Sequence, residues 1–335
     1  MQAAVAKEKG EPLRHDERPR RDPGIGEVLI RVRACGVCHS DLFVIEGAWP
    51  GLQYPRVPGH EVAGVIEAVG PQVEGFRVGD RVGVGWYGGH CNSCRACRDG
   101  DFVECERGII TGIHCDGGYE EYMIARAQAL APIPEEISFA EAAPLLCAGV
   151  TTFNSLRNSP ARAGDLVAVQ GLGGLGHLGV QFAKAMGFRV AAIARGEDKR
   201  AFAVKLGAHE YIDAVKENVS SALQKLGGAR VVLATAVSSE AIEAAIGGLG
   251  RNGCLLLLAA APDPIPVRAG MLIGKRARIQ GWPSGQASDS ADTLRFAAAT
   301  GIRPMIEKFP LREANAAYQH MMQGKARFRA VIEMQ

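Results

Sequence analysis

Four cysteines, Cys91, Cys94, Cys97 and Cys105, fall within fifteen residues in the pattern C-x2-C-x2-C-x7-C. Thiolates this close in sequence can complete a tetrahedral shell around zinc and leave no position open, which makes a structural site. An iron–sulfur cluster is the rival reading, but the short last gap before Cys-Pro of the bacterial cluster run is missing here. Zinc is therefore expected. A second set is dispersed: Cys38, the pair His60 and Glu61, and Cys147. Two thiolates and an imidazole leave the fourth position of a zinc ion free for water or substrate, a catalytic arrangement. Spacing alone leaves three other readings open. Cys35 and Cys38 form a C-x-x-C that suits thiol redox chemistry, Cys147 sits in the apolar run PLLCAGV, and His60 suits a structural role.

A third constellation is Gly171-Leu172-Gly173-Gly174-Leu175-Gly176, which fits GxGxxG through Gly171, Gly173, Gly174 and Gly176. It follows the strand-like run LVAVQ and opens the helical stretch HLGVQFAKAMG. In that setting the glycines let a dinucleotide pyrophosphate approach the backbone at a helix N-terminus. A tight helix-opening turn is the plain alternative, and the βαβ context argues against it. The next strand, RVAAIA, ends in Ala194 and is followed by Arg195. Ribose hydroxyls call for an acid there, whereas a guanidinium pairs with a 2′-phosphate. NADP(H) is thus favoured over NAD(H), with Lys199 and Arg200 in support, unless Arg195 is only a solvated loop charge.

Positioning these groups takes two styles of sequence. Up to about Leu145 the chain is short alternating strands broken by Gly and Pro (EVLIRVRACG, EVAGVIEAVG, GGYEEYMIA), the pattern of antiparallel β structure. From about Leu166 strands alternate with helices, which implies a parallel sheet covered on both faces. The total of 335 residues accommodates about two domains. A net charge of +2 gives no footprint for nucleic acid. The longest apolar run, Cys254 to Ala261, is far too short to span a membrane. No secretory signal is legible, so a cytoplasmic, reducing compartment is expected, where cysteines bind metal or do chemistry more often than they pair.

Taken together, GVCHSDLFVIEGAWP (36–50), PGHEVAGVIEAVG (58–70), the four-cysteine loop, APLLCAGVTTFNSL (143–156), GLGGLGHLGVQFAKAMG and GKARFRAVI resemble the zinc-dependent medium-chain alcohol dehydrogenases. The likeness runs along essentially the whole chain, in order. It implies an α/β protein with a GroES-like, β-rich catalytic domain over 1–150 with 296–335. A Rossmann domain, a doubly wound parallel sheet for NAD(P), would occupy 151–295.

Roles follow from the resemblance position by position. Cys38, His60 and Cys147 match the catalytic zinc ligands, and the four loop cysteines match the structural zinc, two ions per chain. Glu61 matches the carboxylate that can enter the metal shell, Asp41 the acid that orients the zinc-bound imidazole, and Ser40 the hydroxyl that exchanges the alcohol proton. His39 and Arg329 match residues that reach the cofactor pyrophosphate. Trp49 and Trp86 match positions lining the substrate cleft. One departure stands out: many relatives place a proton-relaying histidine where this chain has Phe43. Cys147 and the complete loop set point to simple alcohols and aldehydes rather than polyols. The implied function is reversible hydride transfer between a primary or simple secondary alcohol or aldehyde and NAD(P), in a homotetramer or homodimer. An aldehyde reductase working mainly toward alcohol is the near alternative, and a non-catalytic zinc-binding protein the remote one.

Overall fold

The computed structural model describes residues 1–334. The chain divides into two compact units, Met1–Val150 together with the segment from Ser284 onward, and Thr151–Pro283.

The first unit is built on the strand Glu27–Gly36, whose side chains alternate between buried and exposed along its middle. Period-two alternation suits a strand with one face on a core. It pairs antiparallel with Val62–Val69, with Tyr122–Arg126 and with Arg329–Glu333. The seven-stranded sheet runs Ile306–Pro310, Arg329–Glu333, Glu27–Gly36, Val62–Val69, Arg81–Val84, Leu130–Pro132, with Tyr122–Arg126 added on Glu27–Gly36. Val28, Ile30, Val32, Ile66, Val82 and Val84 bury their side chains in its core. The helix Ala287–Thr300 also belongs to this unit. The return to the first unit therefore comes at Ser284, earlier than the expected 296. The physical reason is that the helix packs on Leu145–Gly149 and on Leu130–Pro132, burying Ala291, Leu294 and Ala297.

The second unit holds a six-stranded, wholly parallel sheet. Its order is Glu210–Asp213, Arg189–Ala194, Leu166–Gln170, Ala229–Ala234, Leu249–Leu257, Arg278–Gly281. Leu166–Gln170 is buried at every position, as a strand covered on both faces must be. Chain order reverses between this strand and Ala229–Ala234, and such a switch point is where open α/β sheets bind ligands. No helix among the described residues is long and apolar enough to cross a membrane.

Candidate functional site

Pairing of Glu27–Gly36 with Val62–Val69 sets Cys35 opposite Val62, so the residues just beyond each strand end meet. Gly36 N–H donates to the Glu61 carbonyl at 3.0 Å, which brings His60 and Glu61 beside Cys38. A side chain at Gly36 would overlap the Glu61 carboxylate, so only glycine leaves that group its place. Cys147 arrives from a separate helical run. Ser138 and Glu141 cap the helix Phe139–Pro144 reciprocally, and Pro144 leads into a wide π-turn, Leu145–Gly149, that carries Cys147. Such widened turns re-aim side chains and recur at functional sites.

Ligand atoms of Cys38, His60, Glu61 and Cys147 all lie within 4.8 Å of one another. The Cys38 and Cys147 sulfurs are 3.8 Å apart. Zinc–sulfur bonds of about 2.3 Å in a tetrahedron separate sulfurs by about 3.8 Å, so the pair fits one ion. His60 Nε2 is buried without a hydrogen-bond partner among the described residues, as a metal-binding nitrogen awaiting its ion would be. The other ring nitrogen, Nδ1, faces Asp41 Oδ1 at 3.3 Å. Asp41 also accepts the Cys38 N–H at 2.9 Å and the Tyr119 hydroxyl at 2.8 Å. A carboxylate on Nδ1 leaves Nε2 as the free, unprotonated donor.

The electrostatics agree with a cation site. A hydrogen bond from Cys147 holds the Cys38 thiol well below the usual thiol range, and Cys147 is pushed up in return. Burial works against charge on His60, but the Cys38 thiolate and Asp41 outweigh it and raise its pKa. Burial lifts Glu61 to about 7 despite its Arg329 partner.

Arg329 is buried and committed here: its guanidinium pairs with Glu61 and donates to the Val37 carbonyl at 3.1 Å. The sequence does not disclose this pairing. His39 is exposed and Ser40 half-buried on the single turn His39–Asp41 that follows Cys38. Trp86 meets the His60 ring edge-on at 4.9 Å. Trp49 lies 6.3 Å from Trp86, and Phe43 packs against both, at 5.5 Å and 6.2 Å. His114 closes on Trp49 at 5.9 Å. Trp49, Trp86 and Phe43 thus form an aromatic cluster beside the ligand set.

The four loop cysteines converge as well, with their ligand atoms within 4.8 Å of one another. Their sulfurs stand 3.5 Å apart for Cys94–Cys97, 3.8 Å for Cys94–Cys105 and 3.9 Å for Cys91–Cys97, again the tetrahedral spacing. Hydrogen bonds from Ser93, with Cys94 N–H and Arg107 adding to them, push the Cys91 thiol down to about 4. No ligand position in this set is left over for substrate.

In the second unit the glycine loop follows Leu166–Gln170 and opens the helix Gly176–Ala185. Gly171 has φ +97°, and a side chain at Gly176 would collide with the Gly171 carbonyl. A Cβ on Gly173 would meet nothing within 4 Å, so this position leaves open space over the helix start. That is the cradle a pyrophosphate needs. Two residues not anticipated from sequence support it. His177 bonds the Gly173 carbonyl through Nδ1 at 3.0 Å, and the Thr235 hydroxyl donates to the Gln170 carbonyl at 2.9 Å. Arg195 is exposed just after Ala194. Arg200, expected to help it, is instead held by Glu197 and stacked on Tyr211.

Comparison with known proteins agrees with this geometry. Residues 24–135 match the alcohol dehydrogenase GroES-like domain, and residues 174–299 match the zinc-binding dehydrogenase domain. The alcohol dehydrogenase notN of an Aspergillus species is 46% identical over 333 residues, covering 99% of this chain and 97% of that protein. An alcohol dehydrogenase of Geobacillus stearothermophilus is 39% identical over 336 residues, covering all of both. Among solved structures, a cinnamyl alcohol dehydrogenase of Sorghum bicolor superposes with a TM-score of 0.89 at 31% identity, covering 99% of this chain and 97% of that one.

Proposed function

The chain belongs to the zinc-dependent medium-chain alcohol dehydrogenase family, and from that premise we propose that it interconverts small uncharged alcohols with their aldehydes or ketones, using two zinc ions per chain and NADP(H) in preference to NAD(H). The observation that carries the reading is the orphaned His60 Nε2 within 4.8 Å of two thiol sulfurs that are themselves 3.8 Å apart. When bound there, zinc supplies Lewis acidity toward the substrate oxygen, and the nicotinamide supplies or accepts the hydride.

The chain's own residues do the rest. Cys38, His60 and Cys147 would hold the catalytic ion, and Cys91, Cys94, Cys97 and Cys105 the structural one. Asp41 keeps the His60 ring in the tautomer that leaves Nε2 free. Ser40, two residues beyond Cys38, takes the hydroxyl proton in oxidation and returns it in reduction. Glu61, paired with Arg329, would offer a further oxygen donor to that ion. Trp49, Trp86 and Phe43 exclude water and favour apolar, flat substrates, primary or simple secondary. Gly171, Gly173, Gly174 and Gly176 seat the pyrophosphate, and Arg195 meets a 2′-phosphate. The Arg195 reading also favours the reductive direction, aldehyde to alcohol.

Self-association belongs to the same proposal. The strand Arg278–Gly281 is one of the two edges of the sheet, and the helix Ala269–Lys275 that precedes it buries none of its residues, with Ile273 76% exposed. Pairing of such edges would remove both exposures and give a homodimer or homotetramer. A cytoplasmic location, where thiols stay reduced, completes the reading.

Metal analysis and a panel of alcohols and aldehydes, run in both directions with both nicotinamides, tests it. Expected are two zinc ions per chain, turnover of primary alcohols, and a lower KM for NADP(H). Absence of turnover in the zinc-loaded protein overturns the activity, and a clear NAD(H) preference overturns the cofactor assignment.

A further inference from the structure

The turn after the strand Arg189–Ala194 is gripped from the neighbouring strand. In the parallel register Ala194 lies opposite Asp213, the last residue of Glu210–Asp213. Asp213 is 2% exposed, and its Oδ1 accepts the N–H of Gly196 at 2.9 Å and of Val215 at 3.0 Å. From the same strand the Tyr211 hydroxyl donates to the Gly196 carbonyl. Both polar groups of Gly196 are therefore fixed. The residue has φ +91°, and a side chain on it would overlap Asp198. Glycine is the residue that tolerates this conformation.

The grip faces inward. Asp213 Oδ2 is buried with no hydrogen-bond partner among the described residues, so this acid is closed off from any ribose. The outward side of the turn carries both signs of charge, with Glu197 and Asp198 exposed beyond Arg195 and Glu197 paired with Arg200 and Lys216. Arg195 is exposed and makes no ion pair among the described residues, whereas Arg200 is taken up by Glu197 and the Tyr211 ring. Burying a carboxylate with one oxygen unsatisfied is a cost that stability alone does not reward. Fixing the backbone from which Arg195 projects gives that carboxylate a purpose.

We propose that Asp213 and Tyr211 are positioning residues for cofactor selection. By clamping the Gly196 peptide groups they hold Arg195 at the point where a strand-end acid would read the ribose, and there it meets the 2′-phosphate instead. This rests on the NADP(H) preference proposed above.

The test is calorimetric binding of adenosine 2′,5′-bisphosphate and of AMP to the zinc-loaded enzyme, alongside KM and kcat for NADPH and NADH. Tyr211→Phe, which removes one hydroxyl, and Asp213→Ala are each expected to weaken the bisphosphate about tenfold while AMP changes by under about twofold. The KM for NADPH should rise with kcat unaltered, and Asp213→Asn, which keeps an acceptor oxygen, should restore most of the affinity. Equal losses for both ligands, or no loss for either, overturn the proposal. Arg195→Ala separates it from the reading beneath. If Arg195→Ala weakens the bisphosphate and Tyr211→Phe does not, the clamp alone is refuted. If Arg195→Ala changes nothing, the NADP(H) reading falls and takes the clamp with it.

Discussion

Tyr119 donates its hydroxyl to Asp41 across 2.8 Å, from a side chain with no solvent exposure at all. Burial, then the Asp41 charge, raises the phenol well above its usual range, so it stays a donor at any working pH. Asp41 thereby receives the Tyr119 O–H and the Cys38 N–H while facing His60, which ties the imidazole to two separate loops beside the sheet.

Removing that hydroxyl should loosen the metal and leave the fold standing. Tyr119→Phe is expected to weaken zinc binding about tenfold, and Asp41→Asn by more, within the range for partners of metal ligands. Chelator competition reads the affinity. A Tyr119→Phe variant with undiminished zinc affinity would show that Cys38 N–H suffices to hold Asp41.

Phe43→His restores a titratable ring where the aromatic wall now stands. The pH dependence of alcohol oxidation should steepen or shift, because the proton gains a second carrier with a pKa near ~6.5. Phe43→Leu, which disturbs the packing on Trp49 and Trp86 equally, should leave the profile's shape alone. An unchanged profile in Phe43→His means that proton exit bypasses this position.

Cys97→Ser breaks the closed sulfur set at its buried centre. Zinc content should drop toward one ion per chain, and the unfolding temperature by roughly 5 °C or more. Metal analysis and scanning calorimetry check the two together. Loss of both ions would mean that the sets are not independent.

Glu120 sets a pH dependence of stability. Burial, with Asp116 adding repulsion, lifts its carboxyl to about 8 against the pull of Arg18. Its folded pKa lies above its unfolded one, so between about 4.3 and that value the folded chain holds a proton the unfolded chain has released. The contribution is fully present below that window and is lost as pH rises through it. Glu120→Gln should flatten this part of the denaturation profile, and an unaltered slope in urea titrations from pH 5 to 8 would contradict the assignment.

The amino-acid sequence discloses whatever the chain keeps local. The loop cysteines, the glycine loop and the alternating strands carry their geometry in spacings of a few residues. The clamp on Gly196 was invisible because Asp213 stands on the next strand, and the Tyr119–Asp41 bond because 78 residues separate its ends. Arg329 reads from the resemblance as a pyrophosphate contact, and its pairing with Glu61 is hidden because it depends on how two strands far apart in the chain register on Glu27–Gly36. The unit boundary at Ser284 was missed for a related reason: the helix Ala287–Thr300 has a weakly apolar face, and nothing in it says which sheet it covers.

The four-cysteine loop has one more consequence. It exposes Arg95, Arg98 and Arg107 on a segment whose secondary structure amounts to the single turn Arg95–Arg98. With the closed ion site occupied, that backbone is pinned at four points and makes a poor substrate for a protease that cuts after arginine. Once the ion is stripped, the same three arginines become cleavage sites on a slack strand. Tryptic digestion with and without a chelator reads this, and equal cleavage in both would show that an ion does not pin the loop.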